Sequence, residues 1–153
     1  MVDADAEPVL TLNEESVKAL SPMSLADLAS HRRRAAHALV AEVDTQVVGF
    51  AFAYAPGSSY ESLNYSWYSQ RFGDFLYLDR IAVNARRRRQ GIGAALYDEL
   101  EVHAAQHGRM VCEVNCDPPN EESLAFHARR GYHPIGRLRQ RDGHETVMLE
   151  KAL

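Results

Sequence analysis

No stretch of this chain approaches the roughly 20 consecutive apolar residues that a membrane-spanning helix requires, so none is expected to cross a bilayer. Cysteine is scarce. Cys112 and Cys116 are the only two, too few for a disulfide-stapled scaffold. They lie four apart in a segment that reads as extended, poor geometry for a mutual bridge, so two reduced thiols are expected. Internal repeats, low-complexity tracts and Pro/Gly-rich linkers are missing. That leaves one domain over residues 9–153 behind a loose tail at 1–8. An excess of positive charge is missing too: 17 Lys and Arg face 21 Asp and Glu, for a net charge of −4. A general nucleic-acid binder carries the opposite bias. The opening residues, with Asp3, Asp5 and Glu7, lack the basic region of a signal or transit peptide, and cytoplasm is the expected compartment.

What remains is ordinary globular composition, 46% apolar, 25% charged and 8% aromatic. A chain of this length buries roughly 70% of its unfolded surface. Its charge is uneven. Asp3, Asp5, Glu7, Glu14, Glu15 and Asp27 face only Lys18 within residues 1–30, whereas Arg32–Arg34 and Arg86–Arg89 form two dense basic runs.

Hydrophobic period and breakers order the elements. Val9–Leu12 reads as a short strand. Asn13 caps a helix to Leu20, with Glu14 and Glu15 in its first turn. A second helix spans about Ser24–His37. Ala38–Val43 and Val47–Ala55 read as a hairpin around Asp44–Gln46. Residues 60–77 hold Tyr60, Tyr65, Trp67, Tyr68, Phe72, Phe75 and Tyr77, seven of the 13 aromatics, without a clear period. Leu76–Val83 is a strand, followed by a basic loop and a helix from Gly91. That helix has one apolar stripe, Ile92, Ala95, Leu96, Leu100 and Ala104, and Gly108 closes it. Met110–Cys116 is a strand, Asn120 caps a short helix ending at Gly131, and Gly136–Arg141 with Thr146–Glu150 form a last hairpin around Asp142–Gly143. The fold class is α/β, a mixed sheet with helices on its faces.

The most informative stretch is the strand Leu78–Val83 running through four arginines into Gly91, Ile92 and Gly93 and then a helix. Free N–H groups and the positive dipole end make such a helix start an anion site. A Walker loop needs Lys and then Ser or Thr after its second glycine, where Ala94 and Ala95 stand. The dinucleotide fingerprint needs a third glycine, where Leu96 stands. Arg88, Gly91 and Gly93 instead resemble the acyl-CoA pyrophosphate loop of the GNAT acetyltransferases. Downstream, Asn120, Ser123, Phe126, His127, Gly131 and Tyr132 resemble the second signature of that superfamily, one helix and one strand after the first, as it requires.

This resemblance implies a mostly antiparallel GNAT-type sheet flanked by helices and an N-acetyltransferase using acetyl-CoA as acyl donor, without a metal. It implies direct attack of a primary amine on the thioester in a ternary complex. Ile81, Ala82 and Val83 would pair with the pantetheine through their backbone, and a backbone N–H of that strand would polarise the thioester carbonyl. Arg88, Arg89, Gln90, Gly91, Ile92, Gly93 and Ala94 would hold the pyrophosphate, and Asn120 and Ser123 the far side of the arm. His127 departs from the family, whose usual residue there is a Tyr that protonates the leaving thiolate; imidazole can do the same work.

Amide formation needs a neutral amine and hence a base or a water chain. Glu113 resembles the base of some ribosomal-protein acetyltransferases. Asp79 lies on the preceding strand, expected on one face with Tyr77, Ile81 and Val83 by period-two alternation. That face resembles the one carrying a glutamate base in histone-type members, whose position falls on Tyr77. Either carboxylate, or neither, fits. Tyr60, Trp67 and Tyr68 are expected to wall the acceptor, with Glu61 and Asp74 available to a cationic amine; an ordinary satellite core is the alternative. His103 and His107 have a zinc-compatible spacing but read as a solvated helix end. The acceptor and the choice between monomer and homodimer stay open. A non-catalytic acyl-CoA-binding module is the rival reading, and an RNA-binding protein using its arginine runs a more distant one.

Overall fold

The computed structural model describes residues 1–17 and 20–153; Lys18 and Ala19, inside the helix expected over 13–20, lie outside the described residues. The elements are α1 (Ala6–Glu14), α2 (Leu25–Arg34), β1 (His37–Val43), β2 (Gln46–Tyr54), α3 (Leu63–Ser69), β3 (Leu76–Val83), α4 (Ile92–Ala104), β4 (Arg109–Asp117), α5 (Glu121–Arg129), β5 (His133–Arg139) and β6 (Glu145–Ala152). The six strands form one sheet in the order β1-β2-β3-β4-β6-β5.

The N-terminus corrects the expectation. Residues 3–14 form a 3-10 turn and α1 rather than a loose tail and a strand. Val9, Leu12 and Asn13 are buried together at helical spacing, so the apolar pair was a helix stripe and not an alternation. Pro8 sits in the first turn, where its missing N–H costs nothing. The Val2 amide donates to buried Asp5 at 2.5 Å, and the N-terminal amine donates to the Ala38 carbonyl. The aromatic segment hides a second missed helix, α3, which Ser62 starts by accepting from the Tyr65 amide.

β2 is buried on both faces, and its alternation sorts the core into two layers. Phe50, Phe52 and Tyr54 join Val9, Leu12, Leu28, Tyr65, Tyr68, Tyr77, Val111 and Met148 on the face covered by α1, α2 and α3. Ala51 and Ala53 join Leu78, Tyr97, Leu100, Met110, Cys112 and Leu149 on the α4 face. Small residues belong there because the helix lies close: a methyl on Gly49 would sit 3.3 Å from Ile92 and 3.4 Å from Leu96.

One defect in the sheet positions everything that follows. β3 and β4 are its single parallel pair, joined only at Leu76–Met110 and Tyr77–Val111. Beyond those two rungs β3 stays with β2 as far as Val83, while β4 stays with β6 as far as Asp117. The sheet therefore splits and a cleft opens between its halves. A second irregularity lies on the rim. Leu78 pairs with Ala53 and Arg80 with Phe52, so Asp79 is the extra residue of a β-bulge. The bulge resets the alternation. Tyr77 faces the α1–α3 layer, but Ile81 packs with the α4 layer, and the face expected to carry Tyr77, Asp79, Ile81 and Val83 together does not exist.

Candidate active site

The split encloses a cavity of about 360 Å³. Leu78–Ile81 line it from β3, Cys112–Asn115 from β4, Tyr97 from α4, Asn120, Ser123 and His127 from the α5 segment, and Tyr60 and Ser62–Asn64 from the α3 region. Of the residues singled out in the sequence, Asp79, Ile81, Glu113, Asn120, Ser123, His127 and Tyr60 line this one space. The other two expected acceptor residues do not. Tyr68 is fully buried, its hydroxyl donating to the Cys112 carbonyl at 2.5 Å and accepting from the Leu149 amide at 3.0 Å. Trp67 lies against Gly136 of β5, where a methyl would meet its ring at 2.6 Å, and Arg71 stacks on that ring. Both rings bind α3 to the sheet. Asp74 is elsewhere too, paired with His107 at 2.5 Å, while His103 stacks on His37 and pairs with Glu99.

One wall suits an extended chain ending in an anion. From Leu78 onward the cleft-facing edge of β3, which includes Ile81, Ala82 and Val83, has no strand partner among the described residues. Its N–H and C=O groups are open to an added strand-like ligand. Past Val83 the chain makes a 3-10 turn at Ala85–Arg87, started by Asn84 accepting from the Arg86 amide. Arg89 and Gly91 then take positive φ, 60° and 82°, which turns the backbone sharply into α4. Ser24, Ser62 and Asn120 cap α2, α3 and α5 with their side chains, but no side chain among the described residues caps α4. The amides of Ile92, Gly93 and Ala94 are the orphan donors of that helix start. A methyl on Gly93 would meet only Val83, at 3.8 Å, so the protein itself does not require glycine there. These features fit a pyrophosphate: free N–H donors, a helix dipole, exposed arginines and an open approach.

The opposite wall is acidic and more buried. Glu113 Oε1 accepts from Asn64 Nδ2 at 2.7 Å and lies 3.0 Å from the Tyr77 hydroxyl. Its Oε2 is buried with no hydrogen-bond partner among the described residues. Burial, with Asp79 adding like charge, pushes the Glu113 carboxyl up to about 8. Asp79 Oδ1 accepts from Tyr60 at 2.7 Å and lies 3.1 Å from the same Tyr77 hydroxyl. Arg80, though 3.8 Å from Asp79 at its nearest nitrogen, turns its other donors away to Asn13 and Ser21. Asn64 is held in turn by Gln140, which also reaches Thr146.

Between the walls stand His127 and Tyr97. His127 Nδ1–H donates to the Ser123 carbonyl at 2.7 Å, the i−4 contact of its own helix. Its Nε2 therefore accepts from the Tyr97 hydroxyl, at 2.5 Å. Burial lowers the His127 pKa, so the imidazole is neutral at rest, not the standing cation that a ready acid would be. Asn120 both caps α5 and lines the cavity. Arg80 is a salt-bridge candidate for these carboxylates from the sequence, whereas Tyr97, Asn64 and the bridging part of Tyr77 are not legible there. Only Asn64 had a local signal, the Ser62 cap two residues before it.

A family model described as Acetyltransferase (GNAT) family matches residues 7–132. The L-2,4-diaminobutyric acid acetyltransferase of Nocardia farcinica (strain IFM 10152) is 32% identical over 97 residues, 61% of this chain; the match spans 44% of that protein's length. Among solved structures, Ard1 from Thermoplasma volcanium shares the fold with a TM-score of 0.79 at 20% identity, over 100% of this chain and 94% of that one. The ribosomal-protein-alanine N-acetyltransferase from Brucella melitensis does so with a TM-score of 0.73 at 22% identity, over 100% and 97%.

Proposed function

Since the chain belongs to the GNAT acetyltransferase family, we propose that it transfers an acetyl group from acetyl-CoA to a primary amine by direct attack. The observation that carries this reading is the split between β3 and β4, which sets an open strand edge and an uncapped helix start on one side of a buried carboxyl on the other. Acetyl-CoA, when bound, supplies the activated thioester carbonyl. Ile81, Ala82 and Val83 take its amide arm on the β3 edge, and an N–H of that edge polarises the carbonyl. The amides of Gly91–Ala94, with Arg88, Arg89 and Gln90, take the pyrophosphate. Asn120 and Ser123 flank the arm from α5.

Glu113 is the base, its free Oε2 accepting the proton of the incoming ammonium, and Tyr60 and Asp79 border the acceptor. A carboxyl near 8 matches a primary amine far better than an ordinary carboxylate does. His127 handles the leaving thiolate. Protonation at Nε2 reverses its bond with Tyr97 and frees the tyrosine hydroxyl to donate into the cavity. An ammonium beside Glu113 lowers that carboxyl's pKa, and a developing thiolate raises that of His127, so both reach their working states with substrates bound. The free thiols of Cys112 and Cys116 support a reducing, cytoplasmic setting.

The test is an acetyl-CoA turnover screen against pooled primary amines, read by thiol release, with Glu113→Gln as control. Turnover that the control loses is the expected result. Tight CoA binding without turnover of any amine would make the protein an acyl-CoA-binding module instead.

A further inference from the structure

Two carboxyl groups meet one hydroxyl in this cleft. Tyr77 is fully buried, with its oxygen 3.0 Å from Glu113 Oε1 and 3.1 Å from Asp79 Oδ1. A single O–H cannot donate to both, so one of the two contacts must carry a proton from the carboxyl side. Asp79 already accepts from Tyr60, whereas Glu113 has its Oε2 buried and its Oε1 receives the Asn64 amide. The pattern that gives each of these contacts a proton is directional. Glu113 Oε1–H donates to Tyr77, Tyr77 O–H donates to Asp79, and Tyr60 O–H donates to Asp79 from the cavity side. Asp79 is the extra residue of the bulge, and its carboxyl lies on the side of the Tyr77 hydroxyl while Ile81 beyond it packs with the α4 layer.

A base that rests protonated must first lose its proton, and the Tyr77 hydroxyl is the proton acceptor that Glu113 Oε1 meets. We infer that Tyr77 is a proton-relay residue, through which Glu113 passes its resting proton to Asp79 and so becomes the base that receives the acceptor's ammonium proton. This rests on the acetyltransferase reading above. The step balances. The Tyr77 proton moves to Asp79 as the Glu113 proton moves to Tyr77, leaving Glu113 anionic, Tyr77 neutral and Asp79 neutral, and Asp79 sheds its proton through the Tyr60 side. Of the two protons an ammonium loses on becoming an amide, one goes to the thiolate and the other replaces the one relayed out. The charged or titratable groups facing the pair are Tyr60 from the loop before α3, Tyr68 from α3, His31 from α2, Tyr54 from β2, Cys112 from β4, and Arg80 on β3, which points to α1. His144, at the cavity rim, is held by Asp142.

The experiment compares acceptors that differ in need of a base. Ethylamine and its mono-, di- and trifluorinated derivatives keep one shape while passing from cation to neutral amine at neutral pH. In Tyr77→Phe the turnover of ethylamine should fall at least about 10-fold relative to the parent, and that of trifluoroethylamine less than about 3-fold. The acid limb of the pH profile should move up, since Glu113 loses a donor to its anion. Equal losses across the series, or none, overturn the relay. Should Tyr77→Phe not fold, Asp79→Asn is expected to give the same selective loss, and a uniform loss there counts equally against it. Carboxyl carbon NMR needs no acceptor. Asp79→Asn should bring the Glu113 step down, since it removes the neighbouring like charge; a Glu113 step that does not move overturns the relay. If no amine is acetylated by the parent while Asp79→Asn does move the Glu113 step, the acetyltransferase reading fails and the shared proton stands without a reaction to serve.

Discussion

The two walls of the cleft are made in opposite ways. The α4 wall is a local object, contiguous in sequence, rich in backbone donors and largely exposed. The carboxylate wall gathers Tyr60, Asn64, Tyr77, Asp79 and Glu113 from separate places and hides them between two halves of a sheet. A helix start keeps its orphan amides wherever it is placed, so the first wall needs little support from its neighbours. A buried acid acquires its character from every group around it, so the second depends on the whole fold. The difference predicts which substitutions act on ligand binding alone and which act on stability and chemistry together.

The largest effect is expected at Glu113. Glu113→Gln keeps the shape and the Asn64 contact but cannot take a proton. Turnover of a cationic amine should fall by about 10²–10⁴-fold, while the thermal shift produced by CoA persists. The same variant has a stability signature. The folded carboxyl titrates near 8 against its ordinary 4.5, so between those values the unfolded chain holds fewer protons and stability falls as pH rises. By pH 8 the loss is on the order of 4 kcal/mol. Glu113→Gln removes this decline, so its melting temperature should gain on the parent's between about pH 5 and pH 8. Parallel curves would show that Glu113 is not held protonated.

Next comes Tyr68, on the packed side of the same wall. Tyr68→Ala should cost about 3–5 kcal/mol, and Tyr68→Phe about 1–3 kcal/mol for the orphaned Cys112 and Leu149 groups, each without changing the ranking of amines. Denaturant melts and the amine panel check this together, and an altered amine ranking would return Tyr68 to the acceptor wall. On the local wall, Gly93→Val should fold normally, since its nearest neighbour leaves room. It should lose the roughly 2.7 kcal/mol of protection that CoA gives at 100 times its dissociation constant. A full thermal shift in that variant would move the phosphate site elsewhere. The smallest effect is expected of Ser62→Ala, which removes the α3 cap for about 1 kcal/mol. Because α3 carries Asn64 to Glu113, a measurable change in the acid limb of the pH profile should accompany it.

Much of this was readable beforehand wherever a few consecutive residues decide the outcome. The hairpin at Asp44, the strand Leu76–Val83, the Asn120 cap, the final hairpin and the stripe of α4 follow from local period and turn chemistry, except that Ala95 is exposed and Tyr97 takes its place in the buried stripe. The misses share a cause. Val9–Leu12 is too short for its apolar pair to distinguish helix from strand, and only the buried faces of β2 and β3 settle it as α1. Trp67 and Tyr68 were chemically plausible wall residues, but a side chain's direction on an unrecognised helix cannot be read from its type.

The sequence by itself determined the donor side: a strand, a basic turn and a glycine-bearing helix start, with an Asn-capped helix following at the right remove. These depend on backbone hydrogen bonds and torsions within a dozen residues, which local composition dictates. Tertiary structure alone decided the acceptor side. The parting of β3 from β4 after two rungs, the bulge that resets the strand at Asp79, and the convergence of two acids on Tyr77 arise from strand pairing between distant segments. The resulting burial is what turns Glu113 from an ordinary carboxylate into one that holds its proton near neutral pH.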